Sequence, residues 1–449
     1  PLFIAIDQEG GAVSRLTNGF TVFPGNNALG MTNDPMLAEY CSYAIGQELR
    51  AVGINFNLSP VVDINKTSKS PLIGIRTFSD SPQIVVDFAR SALNGYKAAG
   101  IITSLKHFPG HGDVEIDSHE DLPIVDKTKE ELFQTDLYPF IQLSGQAETI
   151  MTAHLIATAL DPLNCTTLSK DSLDILKNEF GFKGVIISDS LIMDGLLKNC
   201  SSIDEASIRA LNAGCDIIML GGKHLANNHK DVEISIEDII RIHGTLVESV
   251  KNGRISKERL DDAVQKILNL KIRYLFNPSI LPEQALDLFV NTQKNNLLAD
   301  EIASRSIQFK RNKSLTPFNV SQSQIALFAP EIMKPSIDQT SLPFIGIKNE
   351  SLFFKELIPN ENEIKKAKEL SRVVDIIVFC TYNAWRNDKQ ISLVNSLIEI
   401  GKPVIIIVLR DPSDANLFPD ANLIITTFSP TTPSIQAATN QISNPNLWD

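Results

Sequence analysis

The chain has 449 residues, 43% of them hydrophobic, and a formal net charge of −12 from 41 basic and 53 acidic residues. That length exceeds one ordinary domain and makes two the natural expectation, while the acidic balance argues against nucleic acid or an anionic membrane as partner. No apolar run reaches the roughly eighteen residues that a membrane span needs. Five scattered cysteines, Cys41, Cys165, Cys200, Cys215 and Cys380, are odd in number and read as free thiols rather than a disulfide framework.

The chain opens at Pro1 directly in the apolar run LFIAID, without an initiator methionine, so the true N-terminus and any export signal are expected upstream. Strand-like runs follow at 2–6, 54–62, 101–105, 149–152, 185–188 and 216–220. Helical patterns separate them at 35–52, 83–99, 129–143, 169–180 and 204–213. This β-then-α rhythm predicts a parallel sheet, and its length suits a (β/α)8 TIM-type barrel better than an open doubly wound fold. Asp7, Asp63, Lys106 with His107, His154 and Asp189 all fall where an apolar run stops. In such barrels those strand C-termini build the active site. Six strands are legible, not eight.

Helices at 234–251 and 256–274 close this first part, the second with a capped start at Ser256. The stretch FNPSILP at 276–282 holds two prolines that cannot extend a helix, and it is the expected linker. A helix at 297–305 leads into apolar runs at 325–328, 375–380, 404–409 and 423–427, read as buried parallel strands, with a helix at 390–400. The expected organisation is a barrel domain over 1–275, a linker over 276–290 and an α/β sandwich over 291–449.

Residues 106–119, KHFPGHGDVEIDSH, carry the densest chemistry. Lys106 and His107 are expected to leave the end of a strand, and Pro109, Gly110 and Gly112 then impose a loop. Cationic and imidazole groups at a strand exit suit acid–base work on a polar ligand. His107, His111, Asp113, Asp117 and His119 are all possible metal ligands. Their spacings match no compact zinc pattern and the chain has no CxxC, so no metal and no cofactor is expected.

This segment resembles the signature loop of the β-N-acetylglucosaminidase branch of glycoside hydrolase family 3. DQEGG at 7–11, with Arg15 eight residues after Asp7, resembles that branch's first substrate loop, and GVIISD at 184–189 its nucleophile strand. The resemblance implies that one strand and helix precede Pro1, which would leave the barrel open on that side as given. It also implies the α/β sandwich that many family members carry after the barrel.

Retaining glycoside hydrolysis needs a nucleophile and a second group that protonates the leaving oxygen. Asp189 ends a strand, and from spacing alone it is equally a nucleophile or a helix N-cap; the resemblance assigns it the nucleophile. The same resemblance places the proton donor on His119, oriented by Asp117. A lone histidine there would read as a surface loop residue, but an extended Asp-Ser-His puts Asp117 and His119 on one side, and a carboxylate favours the imidazolium. Substrate contacts implied by the resemblance fall on Asp7, Arg15, Arg76, Lys106 and His107. Arg76 sits in GIRTF, where the family pattern has Ser in place of Thr77. Each arginine alone would more often be a surface ion pair.

Ala12 stands where family members usually carry an arginine, which loosens any contact with an acidic aglycone such as a muramoyl unit. Asp63, Asp113 and Glu115 receive no catalytic role, and His154 reads as packing rather than chemistry. The implied function is a metal-free, retaining β-N-acetylhexosaminidase releasing GlcNAc from peptidoglycan- or chitin-derived glycosides. Its partners would be GlcNAc-containing oligosaccharides or muropeptides, with no nucleic acid and no membrane span. The alternatives are a β-N-acetylglucosaminide phosphorylase, since a histidine repels incoming phosphate less than a carboxylate, and a non-catalytic sugar-binding relative. Free thiols favour a cytoplasmic setting; a periplasmic, secreted or lipoprotein form stays open.

Overall fold

The computed structural model describes residues 1–66, 70, 72–114, 122–197, 200–221, 234–276, 283–312, 323–340 and 350–442. By its internal contacts the chain divides into two compact units, Pro1–Glu9 with Pro35–Val290, and Gly10–Asp34 with Asn291–Asp449. The segment Gly10–Asp34 therefore groups with the second unit, although the sequence reading counted it in the first. Its short helix Asn26–Met31 packs against the helix Gln293–Ser306 of that unit.

The first unit is built on six parallel strands in simple sequential order: β1 (Ala5–Ile6), β2 (Phe56–Asn57), β3 (Ile102–Phe108), β4 (Thr149–Thr152), β5 (Val185–Ser190) and β6 (Ile217–Met219). Sequential parallel order with a crossover helix after each strand is the (β/α) pattern that the sequence predicts, and it gives a curled half-barrel. Among the described residues β1 and β6 do not pair with each other, so six strands stand where closure of such a barrel takes eight.

The helices form where apolar residues recur on one face. Over Pro35–Ala51 the buried positions include Leu37, Ala38, Cys41, Ile45, Glu48 and Leu49, the spacing of a single helical stripe. Proline opens that helix, where its missing N–H costs nothing, and Gly53 at φ 85° follows its end. The expected helix 129–143 is two helices, Lys129–Gln134 and Tyr138–Leu143, and 169–180 is an α-helical turn running into a π-helical one. The helix Lys257–Leu275 starts on Ser256, whose side chain accepts from the Arg259 amide as expected. It lays Ile267, Leu270 and Tyr274 against Phe56, Ile102, Met151, Val185 and Ile187 of the sheet. Residues 277–282 of the expected linker lie outside the described residues. No helix among the described residues is long and apolar enough to cross a membrane.

The second unit carries a six-stranded sheet in the order β7 (Gln308–Arg311), β12 (Leu423–Thr426), β11 (Val404–Val408), β10 (Ile376–Thr381), β8 (Ile325–Pro330), β9 (Glu350–Phe354). All neighbours are parallel except β7, which runs antiparallel to β12. The four central strands are those read from the sequence. One face packs Ile325, Val378 and Ile405 under the helix Thr432–Ile442, and the other packs Phe328, Phe379 and Ile406 under Asp388–Ile398. Helices thus cover both faces, as a parallel sheet requires. The two edge strands were not read, because neither is a buried apolar run: all four residues of β7 are exposed and β9 is buried only at its end.

Candidate active site

The site residues of the first unit gather at the C-terminal ends of its strands. β3 runs three residues beyond its expected end, so Lys106 and His107 lie within the strand rather than after it. Pairing sustains the extension: the Val62 amide donates to the Lys106 carbonyl at 2.8 Å, and the Ala153 amide to that of Phe108 at 2.7 Å. The loop that follows needs its glycines. A Cβ on Gly112 would stand 2.0 Å from the Ile64 carbonyl oxygen, and Gly110 sits at φ 133° with its Cβ position 2.6 Å from that of Asp136.

Two carboxylates and two cations interlock beside this strand end. Glu9 accepts from Arg76 through Nε at 3.0 Å and Nη2 at 2.9 Å, a bidentate fork, and pairs with Lys106 Nζ at 2.7 Å. Lys106 also donates to Asp7 Oδ1 at 2.7 Å. Glu9 and Lys106 are buried, whereas the Asp7 carboxylate is about a third exposed, so Asp7 is the member that faces solvent. Burial alone would neutralise Glu9. Arg76 and Lys106 outweigh it and hold the carboxyl far below the usual carboxylate range. Burial likewise opposes the charge on Lys106, but Glu9 and Asp7 raise its pKa above the ordinary lysine value. With one N–H directed at each carboxylate, the ammonium keeps a third donor for a ligand hydroxyl.

Asp63 anchors the other half of the site. Its Oδ1 accepts from the backbone amides of His107 at 3.1 Å and His111 at 2.7 Å, and its Oδ2 lies 2.7 Å from His107 Nδ1. Burial raises its pKa, yet His107 and the amide bonds leave it below the usual range. An ionised carboxylate only accepts, so His107 carries its proton on Nδ1 and turns Nε2 away from Asp63. The buried His111 ring has no hydrogen-bond partner for either nitrogen among the described residues, and burial beside His107 pushes its pKa down to about 4. Below the loop, Lys127 bridges Asp113 and Asp136 at 2.7 Å each. That bridge ties Asp113 into the loop's support.

Asp189 is the penultimate residue of β5, half-buried, with Oδ1 accepting the Ser190 amide at 2.7 Å. Burial favours its neutral form, but His154, His107, the Ser190 amide and Lys106 hold it below the usual carboxylate range. The cap reading does not hold, because β5 continues through Ser190 and the next helix starts only at Asp194. His154, read from the sequence as packing, is inside the fold. It is fully buried, but both ring nitrogens make polar contacts: Nε2 lies 2.9 Å from the Ser190 carbonyl oxygen and Nδ1 2.8 Å from Thr167 Oγ1.

Of the residues singled out from the sequence, Asp7, Arg76, Lys106, His107 and Asp189 lie in the first unit and are linked by these contacts and fields. Arg15 is exposed on Gly10–Asp34, in the second unit. Asp117 and His119 lie outside the described residues, as does Glu115. Sequence reasoning gave no role to Glu9 or Asp63 and weighed His111 only as a metal ligand. Asp63 had left a signal, a carboxylate stopping an apolar run. Glu9 had left less: it stands two residues from Asp7 on the same extended segment, so both can reach Lys106.

The description Glycosyl hydrolase family 3 N terminal domain matches residues 1–270, and the chain belongs to that family. It is 31% identical over 357 residues to the Beta-hexosaminidase A of Pseudoalteromonas piscicida, a match covering 74% of this chain and 57% of that relative's length. Among solved structures, a glycoside hydrolase family 3 beta-N-acetylglucosaminidase from Paenibacillus sp. str. FPU-7 aligns with a TM-score of 0.88 at 30% identity, over 99% of this chain and 84% of that one. A beta-glucoside phosphorylase bound to 2FGlc has a TM-score of 0.80 at 21% identity, over 99% of this chain and 82% of that one. At that identity the likeness is one of fold.

Proposed function

We propose that the chain is a retaining β-N-acetylhexosaminidase that releases terminal GlcNAc through a covalent glycosyl intermediate on Asp189. The observation that carries this reading is the half-buried Asp189 carboxylate, kept anionic at a strand end beside Lys106 and His107. An anionic carboxylate attacks the anomeric carbon, while the neighbouring donors hold the sugar hydroxyls in place. The relatives named beta-hexosaminidase and beta-N-acetylglucosaminidase support the amino-sugar substrate.

In this reading Asp7 accepts sugar hydroxyls, and Lys106, Arg76 and His107 bind others. His119, oriented by Asp117, protonates the leaving oxygen and then activates water. A histidine suits both tasks because it titrates near neutral pH. Asp189→Ala should lower hydrolysis of an aryl β-N-acetylglucosaminide by about a thousandfold or more, with the fold intact. A variant keeping a tenth of the wild-type rate would exclude Asp189 as nucleophile. Running the wild-type reaction with and without phosphate identifies the acceptor: free GlcNAc in both is expected, and a sugar phosphate would make the enzyme a phosphorylase.

A further inference from the structure

The buried polar chain around His154 limits where its protons can sit. Its Nε2 faces the Ser190 carbonyl oxygen, which can only accept, so Nε2 carries a hydrogen. Its Nδ1 faces Thr167 Oγ1, a hydroxyl with one proton and three polar neighbours. Those neighbours are His154 Nδ1, Thr152 Oγ1 at 2.8 Å and the Ala153 carbonyl oxygen at 3.0 Å. A carbonyl cannot donate, so satisfying Ala153 takes the Thr167 proton. The Thr167 oxygen then accepts from the Thr152 hydroxyl and from Nδ1. Thr152, Ala153, His154 and Thr167 are all fully buried, where polar groups are satisfied as a rule. In that arrangement both ring nitrogens donate, which makes the imidazole a cation.

We propose that His154 is a positioning residue held as a buried imidazolium beneath Asp189, gripping the Ser190 carbonyl and keeping the adjoining carboxylate anionic and in place. The inference rests on Asp189 as the reacting carboxylate. A buried cation needs a counter-charge. Asp189 supplies it from β5, and His154 in turn is the foremost cation lowering the Asp189 pKa against the cost of burial. Thr167 meets the ring from the 3-10 turn Thr166–Leu168, and Thr152 from the end of β4. Beyond Thr167, the Cys215 thiol donates to the Thr167 carbonyl at 3.7 Å. Lys106 is a further cation acting on Asp189. The arrangement lets the carboxylate be stripped of water and still stay ionised, the state a nucleophile needs before a neutral sugar arrives.

Two measurements test it. Neutron diffraction from the deuterated wild-type enzyme at about pH 8, well above the ordinary histidine range, should show deuterium on both Nδ1 and Nε2 of His154. Deuterium on one nitrogen alone overturns the proposal. This reading is independent of the role of Asp189, because it needs no activity. The second measurement is the pH profile of kcat/KM for His154→Gln, which can still donate to the Ser190 carbonyl but carries no charge. Its acidic limb should move up by about one pH unit or more. A profile scaled down without a shifted limb would mean that His154 only packs, and would overturn the electrostatic part. If that variant does not fold, the diffraction result still decides. Failure of the nucleophile assignment would appear separately, as activity retained by Asp189→Ala.

Discussion

Glu9 of the first unit and Asp414 of the second are both buried carboxylates near the ends of parallel strands, and their pKa values move in opposite directions. Burial pushes each toward the neutral form. Glu9 meets the fixed charges of Arg76 and Lys106 and ends far below its usual range. Among the described residues Asp414 meets only neutral donors, the amides of Ala384 at 2.8 Å and Trp385 at 2.9 Å, with Asp411 adding repulsion. Its pKa is pushed up to about 6. Hydrogen bonds from dipoles do not replace a counter-ion when water is removed. The first sheet is organised around exchanged charge at its strand ends. The second is organised around two apolar faces, with the buried Asp414 tying two strand-end loops together.

Removing the carboxylate charge should have the larger effect in the first unit. Glu9→Gln leaves the Arg76 and Lys106 cations short of a partner in a buried place, and should lower the unfolding free energy by about 3–5 kcal/mol at neutral pH. Chemical denaturation followed on the first unit gives the value. A loss under about 1 kcal/mol would mean that Asp7 alone neutralises the pair. Because the Glu9 pKa is depressed, its stabilisation is fully present above the ordinary glutamate range, about 4.3, and declines as the pH falls below it.

Asp414 should show the reverse sign. Its folded pKa is raised, so its stabilising contribution is complete below the ordinary aspartate range and is lost as the pH rises through about 6. Relative to Asp414→Asn, whose side chain does not titrate, the wild type should lose on the order of 2–3 kcal/mol of advantage between about pH 4 and pH 7. Paired melting curves across that window measure the difference. A constant gap would show that the acid stays charged throughout, and would erase the contrast with Glu9.

A smaller effect is expected where the charge orients a ring. Asp63→Asn keeps the shape but exchanges one acceptor oxygen for a donor, so it can no longer serve both amides and His107 Nδ1. The ring then loses its fixed tautomer and direction. About a tenfold to hundredfold loss in kcat/KM is expected on an amino-sugar glycoside, expressed in KM as well as kcat. An unchanged KM would mean that His107 does not touch the substrate through Nε2.

The parts of the molecule legible in its sequence are those with a local cause. The six strands of the first sheet, the four central strands of the second and the helix starting on Ser256 follow from apolar periodicity and capping, which neighbouring residues specify. Lys106, His107 and Asp189 were legible because each closes such a run. The edge strand Gln308–Arg311 was not, since it has no apolar pattern and exists through pairing with Leu423–Thr426. The helix over 129–143 broke in two for a reason equally invisible in its periodicity. At Thr135 the backbone leaves the helical region, with φ −123° and ψ −92°, and Thr135 Oγ1 caps the Glu131 carbonyl.

The sequence by itself determined the strand–helix rhythm, the family motifs and the residues that could hold charge at strand ends. Only the tertiary structure decided how those charges are shared. Glu9 and Arg76 are 67 residues apart, and Asp63 and His107 are 44 apart. The sheet brings each pair to bonding distance. Their protonation depends on burial and on what lies across the strand end, and neither quantity belongs to any stretch of chain alone. His154 makes the point most plainly: its sequence position suggested packing, and only the fold brings the hydroxyl of Thr167 and the carbonyl of Ser190, from two other elements, within hydrogen-bond distance of its ring.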